Sequence, residues 1–362
     1  MRALFYYTSP HWSAAARAFA VAARGLAARG EPVTIACTSK SGAEQAFMAA
    51  GLDVVGVPSA GAVPRDAWTL RAILKERFIE VVFLHSEREH LVASSAMRIA
   101  ERGAVVRRIP AGCIPTAGRS TKLADRLGSS RLLFTTPEDR ARANAATSAY
   151  VAPLGVSVDA VADSRQAARE ALGVDAATRL VVCVVDNRDD SKVTTAMRVV
   201  ALLAERHRTL RMMIVGRSAD ADDVRMHASA LGVTGRVRLL GERADQPTVL
   251  SAADLGWVAA DGDDGAYACL DFMAAGVPVI APRSPLVSTY VPDGIAGVLL
   301  PPADPSDTAS AVARFLSDEA TRQAMGNAGR TRARRDFPES AMLDGFVAAG
   351  QAAGDRTAWT AR

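Results

Sequence analysis

Short apolar runs alternate with longer segments of helical periodicity over the first hundred residues. Strand-like runs occupy residues 3–8, 32–38, 53–57, 80–85 and 104–109, and helical patterns occupy 14–28, 41–50, 66–77 and 91–102. Such alternation builds a parallel sheet that is covered by helices on both faces. The sequence therefore predicts a doubly wound α/β domain at the start of the chain.

A second cycle of the same kind follows residues 150–159. Strands are expected at 180–185, 211–215, 237–240, 255–259 and 277–281, with helices between them. We predict two doubly wound Rossmann-like domains, residues 1–160 and 161–338, that face a cleft. Residues 339–362 are expected to form a helix that returns to the first domain and a frayed tail. Open sheets of this class bind ligands outside the carboxyl ends of their strands.

Composition excludes several classes of protein. The chain has 362 residues, 49% hydrophobic and 23% charged, with a formal net charge of +4. Its basic residues are scattered instead of clustered with aromatics, so we expect no nucleic-acid partner. The four cysteines are far apart in sequence, which favours reduced thiols and a cytoplasmic location. The chain has neither a dinucleotide-binding glycine motif after the first strand nor a P-loop motif.

The stretch from Asp261 to Pro282 combines acids with an apolar helix. A polar loop, 260–265, leads into a helix predicted at 266–275, and a helix start of this kind suits a diphosphate. Asp263 in the loop and Asp271 two turns into the helix would flank such a ligand, and carboxylates accept hydrogen bonds from sugar hydroxyls. The other interpretation is that Asp263 only favours the helix dipole and that Asp271 faces solvent.

The same stretch resembles a known motif. Asp263-x7-Asp271, followed by Phe-Met-Ala-Ala-Gly-Val-Pro, looks like the Glu-x7-Glu motif of retaining GT-B glycosyltransferases of the family-4 type. In the family's order, segments 152–159, 236–241, 290–304 and 325–337 resemble the linker, the base-pocket strand, the loop after the motif and the late helix. The resemblance covers most of the second domain, and the first only by architecture. It implies metal-independent transfer of a sugar from a nucleotide-diphosphate sugar, without a cofactor, to an unknown acceptor that is a glycan, a lipid or a small molecule.

The resemblance also implies roles for individual residues. Asp271 would bind the ribose hydroxyls and Asp263 the donor sugar. The diphosphate would lie on amides of the loop and helix start, namely those of Gly265, Ala266 and Tyr267.

Cations and a base pocket complete the implied donor site. Lys192 matches the family's diphosphate-binding lysine, and Arg188 stands one residue from the position of the family's arginine. Cations aimed at a leaving diphosphate lower the barrier to bond cleavage. Gly216, after the strand 211–215, and Leu240, in the base-pocket strand, would contact the nucleotide. A solvated charge at the start of a helix is the alternative interpretation of Lys192.

Departures from the family leave other interpretations open. Both motif glutamates are aspartates, the glycine-rich acceptor loop is replaced by residues 8–15, and the histidine after the fifth strand is replaced by Arg107 and its neighbours. His11 and His85 are the acceptor-side candidates, while Arg107 is either an anion-steering residue or, preferably, a surface charge. A non-catalytic GT-B scaffold that binds a nucleotide or a protein partner is the rival to an enzyme, and a nucleotide-sugar epimerase is a third option.

Two further patterns have competing interpretations. Asp261-Gly-Asp263 spells the Asp-x-Asp metal signature of the other major glycosyltransferase fold. Its place late in a second α/β cycle does not suit that fold, so no metal is predicted. The arginine-bearing helix at 14–29 is expected to cover its own sheet, with contact to an anionic membrane as the lesser alternative.

Overall fold

The computed structural model describes residues 1–115, 118–128, 130–143, 149–159, 165–185, 190–216, 221–243, 245–301 and 304–354. The chain divides into two compact units. Unit 1 contains residues 1–155 and the C-terminal segment from Glu339, whereas unit 2 spans Val156–Pro338. The boundary thus lies five residues before the predicted one.

Unit 1 is built on a parallel sheet of order β3-β2-β1-β4-β5-β6-β7 in the part of the chain that is described. Its strands are β1 (Ala3–Tyr7), β2 (Val33–Thr38), β3 (Val54–Val57), β4 (Val81–Leu84), β5 (Ala104–Ile109), β6 (Ser130–Phe134) and β7 (Ala149–Val151). Because β1 pairs with both β2 and β4, the chain winds outward in both directions from the middle of the sheet.

Helices cover both faces of this sheet. They are α1 (Ala14–Ala28), α2 (Gly42–Ala49), α3 (Val63–Glu76), α4 (Glu87–Ala100), α5 (Arg119–Leu127), α6 (Pro137–Arg142) and α15 (Glu339–Gly354). One core joins α1 and α15 to the sheet through phenylalanines such as Phe5, Phe19 and Phe346. A second core joins α3 and α4 to the opposite face.

Unit 2 repeats the scheme with a parallel sheet of order β10-β9-β8-β11-β12-β13 among its described residues. Its strands are β8 (Arg179–Val184), β9 (Leu210–Val215), β10 (Val237–Gly241), β11 (Leu255–Val258), β12 (Val279–Pro282) and β13 (Gly297–Leu300). Its helices are α7 (Arg165–Leu172), α8 (Asp190–Leu203), α9 (Ala221–Ala230), α10 (Gln246–Ser251), α11 (Gly262–Ala275), α12 (Pro285–Tyr290), α13 (Pro305–Ser317) and α14 (Glu319–Asp336).

Glycines let α14 approach α11 closely. A Cβ at Gly326 would collide with the carbonyl oxygen of Gly276, and one at Gly329 would lie 3.2 Å from Met273. Gly276 itself ends α11 in the left-handed conformation, at φ 71°, and Nη2 of Arg330 donates to the Ala275 carbonyl at 2.6 Å. The late helix of the sequence therefore fixes the C-terminal end of α11.

The two doubly wound sheets agree with the predicted fold class, but several elements differ. The strands β6, β7 and β13 were not predicted, and β13 lies within segment 290–304, which was interpreted as a loop. The helix α11 begins at Gly262 and not near 266, so Asp263 is helical and not in a loop. The earlier start of α11 bears directly on the site in unit 2.

Candidate functional site

The carboxyl ends of β8 and β11 form the switch point of the unit 2 sheet. These strands are neighbours, yet the chain leaves β8 toward β9 and leaves β11 toward β12, on opposite sides. In open α/β sheets a crevice forms where the connections diverge, and ligands bind in it. The helices α8 and α11 both begin at this crevice.

Lys192 stands in the first turn of α8. Its Nζ lies 2.7 Å from Oδ2 of Asp261, the N-cap residue of α11. The side chain of Asp261 is 74% exposed and that of Lys192 21%, so this ion pair is partly solvated and contributes only about 0.2–1 kcal/mol. A diphosphate would compete for Lys192 with a weakly bound carboxylate. Arg188, between β8 and α8, lies outside the described residues.

The first turn of α11 differs from the predicted diphosphate cradle. The amide of Gly265 donates to the Asp261 carbonyl at 3.1 Å, so Gly265, Ala266 and Tyr267 already belong to the helical hydrogen-bond ladder. The amides without an intrahelical acceptor are instead those of the first three residues, 262–264. Any anion bound through the backbone of this helix would therefore lie about one turn earlier than the sequence predicted.

Glycines shape the start of α11. Gly262 adopts φ 57°, a left-handed conformation that favours glycine. A Cβ at Gly265 would collide with the carbonyl oxygen of Ala260. The helix start is thus folded tightly against the end of β11, and its backbone rather than bulky side chains borders the crevice.

Both aspartates of the motif are buried. Asp263 is 8% exposed and Asp271 is 1% exposed, between Leu270 and Phe272, which are fully buried. The interpretation of Asp271 as a solvent-facing residue is therefore wrong. Eight residues of helix separate the carboxylates by about 12 Å along the axis. Asp271 has interaction partners within the protein, as a buried carboxylate requires.

The ends of β9 and β10 complete this edge of the sheet. Gly216 follows β9 at φ 129°, its amide donates to the Gly241 carbonyl at 3.0 Å, and a Cβ there would collide with the carbonyl oxygen of Val185. Leu240 lies half-buried on β10 at a shift in the strand register. Gly216 is therefore required by close backbone approach beside the crevice.

The acceptor-side histidines both lie at one edge of unit 1. His11 is in the loop after β1, where its carbonyl oxygen accepts a hydrogen bond from the Tyr7 hydroxyl at 2.7 Å. His85 follows β4, and its ring stacks on that of Tyr7 with centroids 5.2 Å apart. Tyr7 therefore links the two segments that the sequence singled out.

Sequence reasoning missed Glu89, the fully buried carboxylate beside His85. Burial raises the pKa of Glu89, but nearby His85 and the hydrogen bonds that the carboxylate accepts outweigh it and hold the pKa at about 2. The signal was present in Ser86-Glu-Arg-Glu89, a capping-box pattern that the structure realises at the start of α4.

Arg107 is not the surface charge that the sequence favoured. It is buried on β5, with its Nη2 3.5 Å from Oε1 of Glu87. Next to it, His90 is buried on α4 with Nε2 3.7 Å from Oδ1 of Asp125. The pKa of His90 is lowered to about 4, above all by burial; the Asp125 and Glu87 carboxylates oppose this shift, and Arg107 adds to it. Arg107 thus helps to keep His90 neutral.

The structure also bears on the Asp-x-Asp pattern at 261–263 and on the expected packing of α1. Asp261 and Asp263 differ in setting, since one pairs with Lys192 in solvent and the other is buried. The helix α1 has ten buried residues and packs in the core of its own unit, as expected. Among the described residues no helix is long and apolar enough to cross a membrane.

Comparison with known sequences identifies relatives of part of the chain. Residues 164–332 match the family model of glycosyl transferases group 1. The D-inositol 3-phosphate glycosyltransferase of Corynebacterium diphtheriae is 30% identical over 196 residues, which are 51% of this chain and 46% of that protein. The lipopolysaccharide core biosynthesis glycosyltransferase LpsE of Rhizobium meliloti is 25% identical over 136 residues, 38% of this chain and 40% of LpsE. The chain thus spans less than half the length of these relatives.

Comparison with solved structures extends to both units. HepE of Anabaena, in a complex with UDP and glucose, has a TM-score of 0.78 at 16% identity and matches 96% of this chain and 98% of HepE. WaaG, a glycosyltransferase of lipopolysaccharide biosynthesis, has a TM-score of 0.70 at 18% identity, with 96% and 98% coverage. The two Rossmann-like units are therefore those of the GT-B fold.

Proposed function

We propose, from the premise that residues 164–332 are a glycosyl transferases group 1 domain, that this chain transfers a sugar from a nucleotide-diphosphate sugar to an acceptor hydroxyl. One observation carries the proposal: Lys192 and the start of α11 meet at the β8/β11 switch point, with Nζ of Lys192 2.7 Å from the N-cap residue. A cation and a helix N-terminus at one crevice are suited to a diphosphate. The structures of Anabaena HepE in complex with UDP and with UDP-glucose support uridine as the base to test first.

The proposed chemistry concentrates charge on the leaving group. As the bond between the anomeric carbon and the diphosphate oxygen breaks, negative charge grows on the diphosphate, and Lys192 stabilises it. The acceptor oxygen forms the new bond to the same face of the anomeric carbon, so configuration is retained. The acceptor proton passes to the departing phosphate oxygen, and no separate base or metal is needed.

The aspartates are assigned to hydroxyl recognition. Asp271 would accept hydrogen bonds from the ribose and Asp263 from the donor sugar, both being carboxylates at the flank of α11. Because both are buried and have partners within the protein, ligand hydroxyls would have to replace those partners. Because an aspartate is shorter than the family's glutamate, the donor would lie closer to α11. The amides of residues 262–264 would face its diphosphate.

Titration calorimetry with UDP tests the donor site. Lys192→Ala should weaken binding about tenfold or more, because a charge-assisted hydrogen bond contributes about 1.5–3 kcal/mol. Lys75→Ala, which removes an exposed lysine from unit 1, serves as the matched control and should leave the affinity unchanged. Equal UDP affinity in Lys192→Ala and wild type would contradict the site. Asp271→Asn should also weaken binding, provided that its thermal unfolding matches that of wild type.

Turnover separates the enzyme from a scaffold. We expect hydrolysis of UDP-glucose, with release of α-glucose, at the same rate with and without EDTA. One observation favours the rival function of a nucleotide-binding scaffold, because Asp261 already neutralises Lys192. UDP binding without hydrolysis or transfer of any nucleotide sugar would support that rival, and loss of activity in EDTA would overturn metal independence.

The cellular location is part of the proposal. All four cysteines are free, and three of them, Cys37, Cys183 and Cys269, are buried. Free thiols are typical of proteins in reducing compartments. We therefore propose a cytoplasmic location, which fractionation of a tagged full-length chain would test.

A further inference from the structure

Unit 1 contains a second switch point, between β1 and β4. These strands pair in parallel, but α1 follows β1 onto one face of the sheet and α4 follows β4 onto the other. The rule that places ligands at the carboxyl ends of diverging strands applies here as it does in unit 2. The proposed donor site uses only unit 2, whereas this edge carries the acceptor-side candidates His11 and His85.

A buried carboxylate ties the two loops of this edge together. Oε1 of Glu89 accepts hydrogen bonds from the amide and the hydroxyl of Thr8, at 2.6 and 2.9 Å. Oε2 accepts from the amides of Ser86 and His85, at 3.0 and 3.2 Å. The side chain is 0% exposed and ionised at neutral pH, because its pKa is about 2. Glu89 therefore fixes the loop after β1 against the loop after β4.

The same carboxylate orients an imidazole. Nδ1 of His85 lies 2.8 Å from Oε2 of Glu89, and the ring packs on Tyr7 and edge-on to Phe19, with ring centroids 6.2 Å apart in the latter pair. The side chain keeps 21% exposure, and Nδ1 is buried beside the Glu89 carboxylate without a hydrogen bond of regular geometry among the described residues. A carboxylate beside one ring nitrogen favours a proton on that nitrogen and leaves the other, Nε2, as an acceptor.

Helix capping alone does not account for this arrangement. A capping box explains the reciprocal contacts of Ser86 and Glu89. It does not explain why the carboxylate is fully buried, at a cost in desolvation, or why it also holds Thr8 and His85. His90, five residues further along the chain, shows the contrast: it is buried, with neither ring nitrogen hydrogen-bonded among the described residues. Of these two histidines, His85 is the one with a partly exposed side chain, at 21% against 1% for His90.

We propose that Nε2 of His85 accepts a hydrogen bond from a hydroxyl of the acceptor, a small polyol, and that Glu89 is the positioning residue that aims the ring. The inference rests on the proposed function and adds the acceptor class and its contact. The hydrogen bond orients the lone pair of the acceptor oxygen, and the proton is not transferred to His85. Tyr7, Phe19 and Glu89 hold the His85 ring in place before any ligand binds. Binding therefore costs little side-chain entropy, which would otherwise lower the affinity.

Histidine NMR on the full chain tests this contact. The chain has five histidines, and His85→Gln assigns the Cε1–H signal of His85. Three probes are added separately, with and without UDP: myo-inositol, D-inositol 3-phosphate and glycerol. At least one should shift the His85 signal saturably, and His85→Gln should weaken its binding about tenfold. The control His227→Gln, on the exposed face of α9, should bind that probe as wild type does.

Positioning by Glu89 has its own readout. Glu89→Gln should weaken the same polyol several-fold, while the affinity for UDP stays at the wild-type value. If Glu89→Gln does not fold, Thr8→Val removes one donor to Glu89 and takes its place. With His85→Ala, free imidazole should restore polyol binding, which a merely structural histidine would not allow.

The two proposals can fail separately. If none of the three probes shifts the His85 signal, or if His85→Gln binds the polyol as tightly as wild type, the acceptor contact is overturned. If the wild type fails to bind UDP while a polyol still shifts His85, the donor assignment has failed and the contact with a hydroxylated ligand remains supported.

Discussion

The two units place opposite chemistry at equivalent edges of similar sheets. In unit 2 the edge presents a helix start, the glycine Gly216 and a cation, Lys192, held by an exposed carboxylate. In unit 1 the edge encloses a carboxylate, Glu89. Four hydrogen-bond donors and the neighbouring His85 stabilise its negative charge, so it is not available to a ligand. The first edge is suited to an incoming anion, and the second to a neutral hydroxyl. In both proposals the topology decides where a ligand would bind, whereas individual residues decide which ligand suits the edge.

The largest expected effect tests the close backbone approach in unit 2. Gly216→Val should lower the free energy of unfolding by more than about 3 kcal/mol, because it adds backbone strain to a collision with the Val185 carbonyl. Gly232→Ala is the control, since its φ of 66° carries strain but its Cβ meets open space, and it should cost about 1 kcal/mol. Urea unfolding measures both. Similar losses in the two variants would mean that Val185 does not restrict this position.

The next effect tests the buried carboxylate of unit 1. The pKa of Glu89 falls from 4.5 to about 2 on folding, so the unfolded chain takes up the proton first as the pH drops. The stabilisation is therefore complete above pH 4.5 and is lost as the pH falls toward 2. Glu89→Gln should cost about 3 kcal/mol at neutral pH and should unfold with a flatter pH dependence in that window.

The control for that window is Glu76→Gln, an exposed glutamate on α3. It should leave both the free energy of unfolding and its pH dependence close to those of wild type. A wild-type slope that persists in Glu89→Gln would assign the acid sensitivity to other carboxylates.

A smaller effect concerns His90, the buried histidine of α4. Because the pKa of His90 is lowered from 6.5 to about 4, stability should fall as the pH drops from 6.5 toward 4, a window that lies above that of Glu89. Replacement of His90 by leucine should remove about 2 kcal/mol of this loss, measured as the difference in unfolding free energy across the window. The exposed His227→Leu should keep the wild-type profile, and an unchanged profile in His90→Leu would mean that His90 is protonated in the folded chain.

Much of the fold could be predicted from local pattern. The strands β1 and β2, the helix α1 and the glycine that ends α11 follow directly from apolar runs, helical periodicity and Gly-Val-Pro. The start of α11 could not, because Gly-Asp-Asp-Gly is typical of a loop and helix propensity argues against it. Packing of Gly265 against Ala260 overrides that propensity.

The residues of the candidate sites also divide into those that local sequence pattern can predict and those that it cannot. Lys192, Asp263 and Asp271 could be predicted because spacing along one element, or a place after a strand that matches the family's pattern, is visible in sequence, and their roles stay predictions. The contact of Glu89 with Thr8 joins residues 81 positions apart, and the burial of Arg107 depends on the helix that covers it. Neither local pattern nor residue type contains that information, since both depend on which elements pack together.

The smallest expected effect returns to the exposed ion pair at the unit 2 edge. Asp261→Asn should change the free energy of unfolding by less than about 1 kcal/mol, since the carboxylate is largely solvated. It should tighten UDP binding about two- to fivefold, because the diphosphate no longer has to displace the Asp261 carboxylate from Lys192. Asp159→Asn, which removes the exposed partner of Arg334, is the matched control and should leave UDP affinity unchanged. Weaker UDP binding in Asp261→Asn would show instead that the carboxylate positions Lys192 for the ligand, and the two edges would then share one design, a carboxylate that aims a neighbouring side chain.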